Sequence, residues 1–267
     1  MYSSRKTLIF LLLLVTIVSY ACARPLQRER RIQAISRMSR PFPVPISMKP
    51  KPLYPKKNDE EIIAYEPVTP PFLKKPSKKA VIVIDAGHGG EDFGTHSLIA
   101  PKYQEKHLTL ATANMLEKFL HELGYTTIMT RTSDVFMALD KRAVFANEKK
   151  PLLFISVHYN SAPSKQAEGV EVYFYKSEEN KDRSTDSKAL ALSVLRYVIK
   201  ETQAKSRGIK HGNFAVIRET NMPAILIEGG FLTNESEMLK LKDAAYLKKV
   251  AWGIALGVQH YLKEDKG

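Results

Sequence analysis

Three polar side chains in this sequence follow apolar runs, and all three belong to residue types that bind metals. They are His88, His158 and Glu228. Continuous apolar runs are typical of β-strands that are buried on both faces. If the three strands are neighbours, their carboxyl ends bring these side chains into one crevice, which is where ligands of open α/β sheets usually bind.

The chemistry indicated by these residue types is that of zinc, because two imidazoles and a carboxylate are a ligand set that a catalytic zinc ion uses. Glu105 is well placed as the carboxylate, at the start of a predicted helix, if the loop before it folds back over the strand end. A glutamate there also offsets the helix dipole by about 0.3–1 kcal/mol without any metal. Glu91 and Asp92 are rivals, so spacing alone leaves the choice open.

Strands and helices alternate along the part of the chain that carries these residues. We expect strands at 81–84, 125–130, 152–157, 169–175, 214–217 and 224–228, and helices at 108–123, 138–148, 189–205 and 243–262. Strands separated by helices predict an α/β fold. The expected architecture is a single catalytic domain, residues 80–263, with a mixed, mostly parallel twisted sheet flanked by helices on both faces.

The start of the chain has the pattern of a secretory signal, residues 1–23. Arg5 and Lys6 precede an apolar run that is short for a membrane span, and Ala21-Cys22-Ala23 follows it. We expect cleavage after Ala23 and export to the periplasm or cell envelope. The alternative is a lipoprotein anchored through Cys22, which is the only cysteine of the chain.

Residues 24–79 are predicted to form a mostly disordered, basic tether. They hold 11 of the chain's 15 prolines and contribute to a formal net charge of +13. The charge favours contact with acidic envelope polymers or lipid, although a simple spacer explains the composition equally well. Because the chain is expected to be exported, we do not expect nucleic acid as a partner.

Four motifs together resemble the zinc-dependent N-acetylmuramoyl-L-alanine amidases of the bacterial cell wall, the amidase 3 family. They are GHGG with His88, QEKHLTLA with Glu105, SVHYNSA with His158 and AILIEGGFLTNESE with Glu228. The resemblance covers about residues 80–263. It implies that one Zn²⁺ is bound by His88, Glu105 and His158, that Glu228 is the catalytic carboxylate, and that peptidoglycan is the substrate.

The resemblance also bears on regulation, since some members of the family carry a long helix that covers the zinc until an activator displaces it. Here only the polar residues 177–188 lie between a predicted strand and the next predicted helix, too few for such a lid. We therefore expect activity without an activator. Gly87, Gly89 and Gly90 are expected to leave room beside His88 for a bulky glycopeptide.

Several further residues have two interpretations each. Asn160 and Asn234 either bind substrate or shape turns, and the sequence does not choose between these roles. A salt-bridge role is favoured over substrate contact for three residues of the segment after the second predicted strand: Arg131, Asp134 and Arg142. Two alternative functions stay open, a zinc peptidase acting within the stem peptide and a non-catalytic peptidoglycan-binding module.

Overall fold

The computed structural model describes residues 81–264. The predicted signal and tether lie outside the described residues, so both of them and their boundaries stay predictions. The strands are β1 (Val81–Ala86), β2 (Thr126–Met129), β3 (Leu153–Asn160), β4 (Val170–Phe174), β5 (Ser206–His211) and β6 (Ala224–Phe231). The helices are α1 (Glu105–Glu122), α2 (Leu139–Lys149), α3 (Lys181–Thr202), α4 (Ala215–Arg218), α5 (Glu235–Leu241) and α6 (Ala244–Glu264).

The six strands form one sheet in the order β2-β1-β3-β6-β4-β5. All neighbouring pairs are parallel except β6 and β4, which are antiparallel. This mixed, mostly parallel sheet confirms the predicted fold class. It also makes β1, β3 and β6 direct neighbours that run in the same direction, so their carboxyl ends lie at one edge of the sheet.

Hydrophobic packing covers both faces of the sheet. One face packs against α1, α3 and α6, and the other packs against α2 and α4 around Val83, Phe154 and Leu226. Side chains alternate between the two faces along a strand. His158 and Glu228 therefore share the face that packs against the shorter helices α2 and α4.

The prediction for residues 214–217 is wrong. The sequence predicts a short strand there, but the structure has the helix α4, in which the N–H groups of Ile217 and Arg218 donate to the carbonyl of Phe214. A run of four apolar residues fits a buried helical turn as well as a strand, and Val216 and Ile217 are both buried in this turn.

The polar segment before the third predicted helix is also helical for most of its length. Helix α3 begins at Lys181 rather than at 189, and the side chain of Asn180 caps it by accepting a hydrogen bond from the N–H of Arg183. Strand β5 was missed altogether because its residues are polar and partly exposed. It is an edge strand, and its partner β4 rather than its own composition defines it.

No helix among residues 81–264 has the length and apolar character needed to cross a membrane.

Candidate metal centre

His88 lies just beyond the end of β1, in a backbone conformation that residues other than glycine seldom adopt (φ 61°). Its Nε2 is 3.0 Å from Oε1 of Glu105. Its Nδ1 is 2.9 Å from both carboxylate oxygens of Asp92. The left-handed turn thus directs the imidazole toward one carboxylate on each side, and such strained positions are frequent at functional sites.

Glu105 is the first residue of α1, and its side chain is only 4% exposed. The loop before it folds back as expected, because the N–H of Thr95 donates to Oε2 of Glu105 at 2.9 Å. Oε1 lies 2.9 Å from Nδ1 of His158 and accepts a bond from the N–H of Tyr159. Burial opposes ionisation of Glu105, but hydrogen bonds and charges of His158 and His88 outweigh it and hold the pKa far below its ordinary value.

The structure brings His88, Glu105 and His158 together. One possible ligand atom from each lies within 4.8 Å of the others, and the two imidazole rings meet edge to face with centroids 4.9 Å apart. Such a cluster of two histidines and one carboxylate is the ligand set of a catalytic zinc site, in which the fourth position is left to water. The donor atoms present therefore fit a zinc ion.

Asp92 and Glu91, the rival ligands, have different surroundings. Glu91 is exposed. Asp92 accepts a hydrogen bond from Nδ1 of His88 and from the N–H of Gly94, and these contacts hold the pKa of Asp92 below its ordinary value despite the cost of partial burial. A carboxylate that binds the second nitrogen of a ligating histidine fixes its tautomer and ring orientation. Asp92 is thus placed to orient His88.

The role predicted for the three glycines around His88 needs a correction. A Cβ at Gly87 would lie 2.3 Å from the ring of His158, so Gly87 leaves room for the imidazole of His158 and not for the predicted glycopeptide. Gly89 and Gly90 have positive φ values and face the backbone of the 131–136 loop instead of the cleft. Their predicted role beside a substrate is wrong, because they shape the turn and accommodate the neighbouring loop.

Glu228 lies on β6 in register with His158 on β3. Its Oε2 is buried without a hydrogen-bond partner within residues 81–264. Burial, together with the negative charges of Glu105 and Glu171, raises the pKa of Glu228 well above its ordinary value. His88, Glu105, His158 and Glu228 all line one cavity of about 370 Å³. A buried carboxylate with a raised pKa in a cleft is typical of a proton-transferring group.

The two asparagines of uncertain role are placed differently. Asn160 lines the same cavity as Glu228, and its Nδ2 donates to Oε1 of Glu171. Asn234 caps α5, since its Oδ1 accepts hydrogen bonds from the N–H of Glu237 and the hydroxyl of Ser236. Asn234 lines a separate cavity, so its contacts favour the turn-shaping interpretation, whereas Asn160 faces the candidate site.

Two buried arginines hold the turn between β1 and His88. Arg142 is 1% exposed and forms a 2.8 Å ion pair with Asp85 of β1, and it also donates to the carbonyl of His88. Arg131 donates to the carbonyls of Ala86 and Gly87. Arg142 thus has the predicted salt-bridge role, whereas Arg131 supports the turn through backbone carbonyls instead of an ion pair among the described residues.

Asp134 completes this framework from the neighbouring loop. Its Oδ2 accepts a 2.7 Å hydrogen bond from Nζ of Lys106, which also donates to the carbonyl of Gly90. The N–H of Gly90 donates to Oδ1 of Asp134. Asp134 therefore ties the 131–136 loop to the turn that carries His88, in agreement with the predicted salt-bridge role.

Glu171 is a polar residue of the site that the sequence analysis missed. It lies on β4 directly opposite Glu228, is 2% exposed, and accepts 2.7 Å hydrogen bonds at Oε1 from Asn160 and the hydroxyl of Tyr173. The sequence signal that could have identified Glu171 is an acidic residue at the second position of the otherwise apolar strand VEVYF.

Comparison with known proteins agrees with this geometry. Residues 82–260 match the family described as N-acetylmuramoyl-L-alanine amidase. The probable cell wall amidase LytH of Staphylococcus saprophyticus is 35% identical over 190 residues, which cover 71% of this chain and 61% of that relative. This chain thus spans about three fifths of the length of the staphylococcal relatives that it matches.

Two solved structures share both sequence and fold with this chain. An N-acetylmuramoyl-L-alanine amidase from Clostridium difficile 630 is 37% identical with a TM-score of 0.66, over 71% of this chain and 100% of that one. The catalytic domain of the amidase CwlV from Bacillus (Paenibacillus) polymyxa is 39% identical with a TM-score of 0.64, over 69% of this chain and 98% of that one.

The fold and the site together define an α/β protein with a candidate metal centre of two histidines and one glutamate beside a buried carboxylate. The family match gives the particular assignment: the chain belongs to the N-acetylmuramoyl-L-alanine amidase family. The resemblance inferred from the four motifs is thereby confirmed.

Proposed function

We propose that this protein hydrolyses the amide bond between N-acetylmuramic acid and the L-alanine of the peptidoglycan stem peptide. The single observation that carries the proposal is the convergence of His88, Glu105, His158 and Glu228 on one cavity in a member of this family. A protein that only bound peptidoglycan would have no need of a buried, unpaired carboxylate beside a metal-ligand cluster.

The metal of this site is proposed to be one Zn²⁺, held by His88, Glu105 and His158. The chemistry of the donor set supports zinc, since imidazole nitrogen and carboxylate oxygen in this ratio are typical of catalytic zinc sites. Zinc bound there supplies a Lewis acid that polarises the amide carbonyl and lowers the pKa of water. Asp92 is proposed to keep His88 in the tautomer that exposes Nε2 to the ion.

Glu228 is proposed to move the proton in this reaction. As a general base, its carboxylate takes a proton from the attacking water while the oxygen of that water bonds to the carbonyl carbon. The carbon–nitrogen bond then breaks, and Glu228 passes the same proton to the departing amine of L-alanine. The overall products are the free lactyl carboxylate of the sugar and a free stem peptide. Asn160, at the wall of the same cavity, is proposed to contact the substrate.

The site of action is proposed to be the cell envelope, reached by export through the signal at 1–23. Residues 24–79 are proposed to hold the catalytic domain near acidic envelope polymers or lipid through their positive charge. The basic and proline-rich composition of this segment supports the proposal, as does the peptidoglycan-directed activity named for its relatives.

Product analysis tests the proposed reaction. Purified full-length protein loaded with zinc is incubated with soluble muropeptides, and the products are identified by mass spectrometry. A free stem peptide that begins with L-alanine is the expected result. Shortened stem peptides would show a peptidase instead, and intact muropeptides that remain bound would show a binding module.

A further inference from the structure

A pair of cations lies beside the candidate site on the edge strand β5. Nε of Arg207 and Nζ of Lys210 donate to the same oxygen, Oε2 of Glu171, at 2.7 and 2.5 Å. These contacts, which outweigh the cost of burial, lower the pKa of Glu171 to about 2. Glu171 therefore stays ionised, and two positive charges face one negative charge, so the cluster keeps one positive charge in excess.

This excess charge is accessible to solvent. The side chains of Arg207 and Lys210 are 32% and 38% exposed, whereas Glu171 is almost completely buried. Within residues 81–264, Nζ of Lys210 uses one of its three N–H donors, and Oε1 of Glu171 is already occupied by Asn160 and Tyr173. Lys210 thus retains donors for a further acceptor.

The cation pair is connected to the cavity that holds Glu228 through two aromatic side chains. Lys210 is in register with Tyr173 on the neighbouring strand β4. The ring centroid of Tyr173 lies 5.0 Å from that of Phe214, and Phe214 lines the cavity. β5 lies two strands from β6, and Lys210 is level with Leu226, two residues from Glu228. With strands about 4.8 Å apart and a rise of about 3.3 Å per residue, the backbone of Lys210 is roughly 12 Å from that of Glu228.

We propose that Lys210 and Arg207 bind a carboxylate of the stem peptide, about three or four residues beyond the scissile amide, since an extended chain spans about 3.3–3.6 Å per residue. This inference rests on the proposed amidase activity and adds a substrate feature to it. A carboxylate is the anionic group that a peptide carries at its end, and hydrogen bonds between charged groups are roughly twice as strong as neutral ones.

Two matched substrates test the proposal. One is an N-acetylmuramoyl tripeptide with a free terminal carboxylate, and the other is the same compound with a terminal carboxamide. The wild-type full-length enzyme is expected to show kcat/KM about tenfold higher for the carboxylate, the size of one charged hydrogen bond. Lys210→Gln lowers kcat/KM for the carboxylate substrate to the level of the carboxamide substrate, and Lys210→Arg retains the preference.

Lys205→Gln is the matched control, because this substitution removes the same charge. Lys205 also forms an ion pair, with Glu168, but its side chain is 65% exposed. It should keep the tenfold preference. Equal losses on both substrates in Lys210→Gln would show that the ion pair only supports the fold, and would overturn the inference. Equal wild-type rates on both substrates would overturn it while leaving the amidase function intact, whereas cleavage of neither would overturn both.

Discussion

At the scale of single residues, the proposed roles separate metal binding from proton transfer. His88, Glu105 and His158 contact one another, whereas Glu228 stands opposite them with a buried oxygen that has no partner among the described residues. We therefore expect substitutions of the first three residues to abolish zinc binding, and substitutions of Glu228 to abolish turnover without affecting zinc binding.

Glu228→Gln should abolish turnover and leave zinc binding intact. The loss expected on removing a general base is about a thousandfold in kcat. Muropeptide cleavage measures the rate, and competition with a chelator measures the zinc affinity. Glu235→Gln is the control, since Glu235 is exposed on the following helix α5. A Glu228→Gln enzyme with wild-type kcat would contradict the assigned role.

Asp92→Asn should weaken zinc binding by about 10–100-fold, the usual effect of removing a carboxylate that orients a ligating histidine. Chelator competition gives the affinity directly. Glu91→Gln is a matched control one residue away, because it removes the same charge from an exposed side chain. If both variants bind zinc equally well, Asp92 does not orient His88.

At the scale of secondary-structure elements, β1 and α2 are joined by one buried ion pair. Asp85 is fully buried; burial raises its pKa, but the charge of Arg142 and the hydroxyls of Thr130 and Ser156 outweigh this and lower it from 3.8. The same arginine supports the turn that carries His88. Stability and the geometry of the site are therefore coupled at this junction.

The ion pair predicts a pH dependence of unfolding. Because the folded pKa of Asp85 lies below its unfolded value, the ionised carboxylate stabilises the fold above about pH 4, and this contribution disappears as pH falls through the folded pKa. Asp85→Asn should cost about 3–5 kcal/mol at pH 7 and less at pH 3. Urea unfolding measures both values. Asp140→Asn, at an exposed helix position, should change little at either pH.

The packing of α6 on α3 gives a second test at this scale. A Cβ at Gly257 would lie 2.5 Å from Cα of Val194, so the two helix backbones approach too closely for any side chain. Gly257→Ala should therefore destabilise by about 1–3 kcal/mol. On helix propensity alone, the same change would stabilise by about 1 kcal/mol. Thermal unfolding shows whether Gly257→Ala lowers or raises the stability. Lys249→Ala, on the exposed side of α6, is the control and should have little effect on stability.

At the scale of the whole molecule, the connection between β4 and α3 bears on the predicted absence of a lid helix. Only residues 175–180 separate the end of β4 from the start of α3, and α3 packs on the sheet face opposite the one that carries Glu228. This short connection supports the expectation that no lid helix arises from this segment.

The purified full-length protein should therefore degrade peptidoglycan sacculi when supplied with zinc alone. Release of soluble fragments measures the activity, and Glu228→Gln serves as the inactive control. A wild-type protein that stays silent until an envelope extract is added would show that an activator is needed.

The sequence by itself determined the sheet class, and it predicted His88, His158 and Glu228 as candidate site residues. The apolar runs before His88, His158 and Glu228 are typical of strands buried on both faces, where backbone groups must be paired, and a side chain after such a run lies at the carboxyl end of its strand. Asn160, Asn234 and the choice between Glu105 and Asp92 remained open, because these roles depend on which groups are already hydrogen-bonded.

Only the tertiary structure showed which groups these side chains contact, and it revealed the cluster around Glu171. The polar sequence of β5 does not predict a strand. The positions of Arg207 and Lys210 beside Glu171 are therefore set by the pairing of this segment with β4. Likewise, Gly89 and Gly90 flank His88 in sequence but face another loop in space. Local patterns record which residues are buried, whereas the contacts between distant segments depend on how the chain packs.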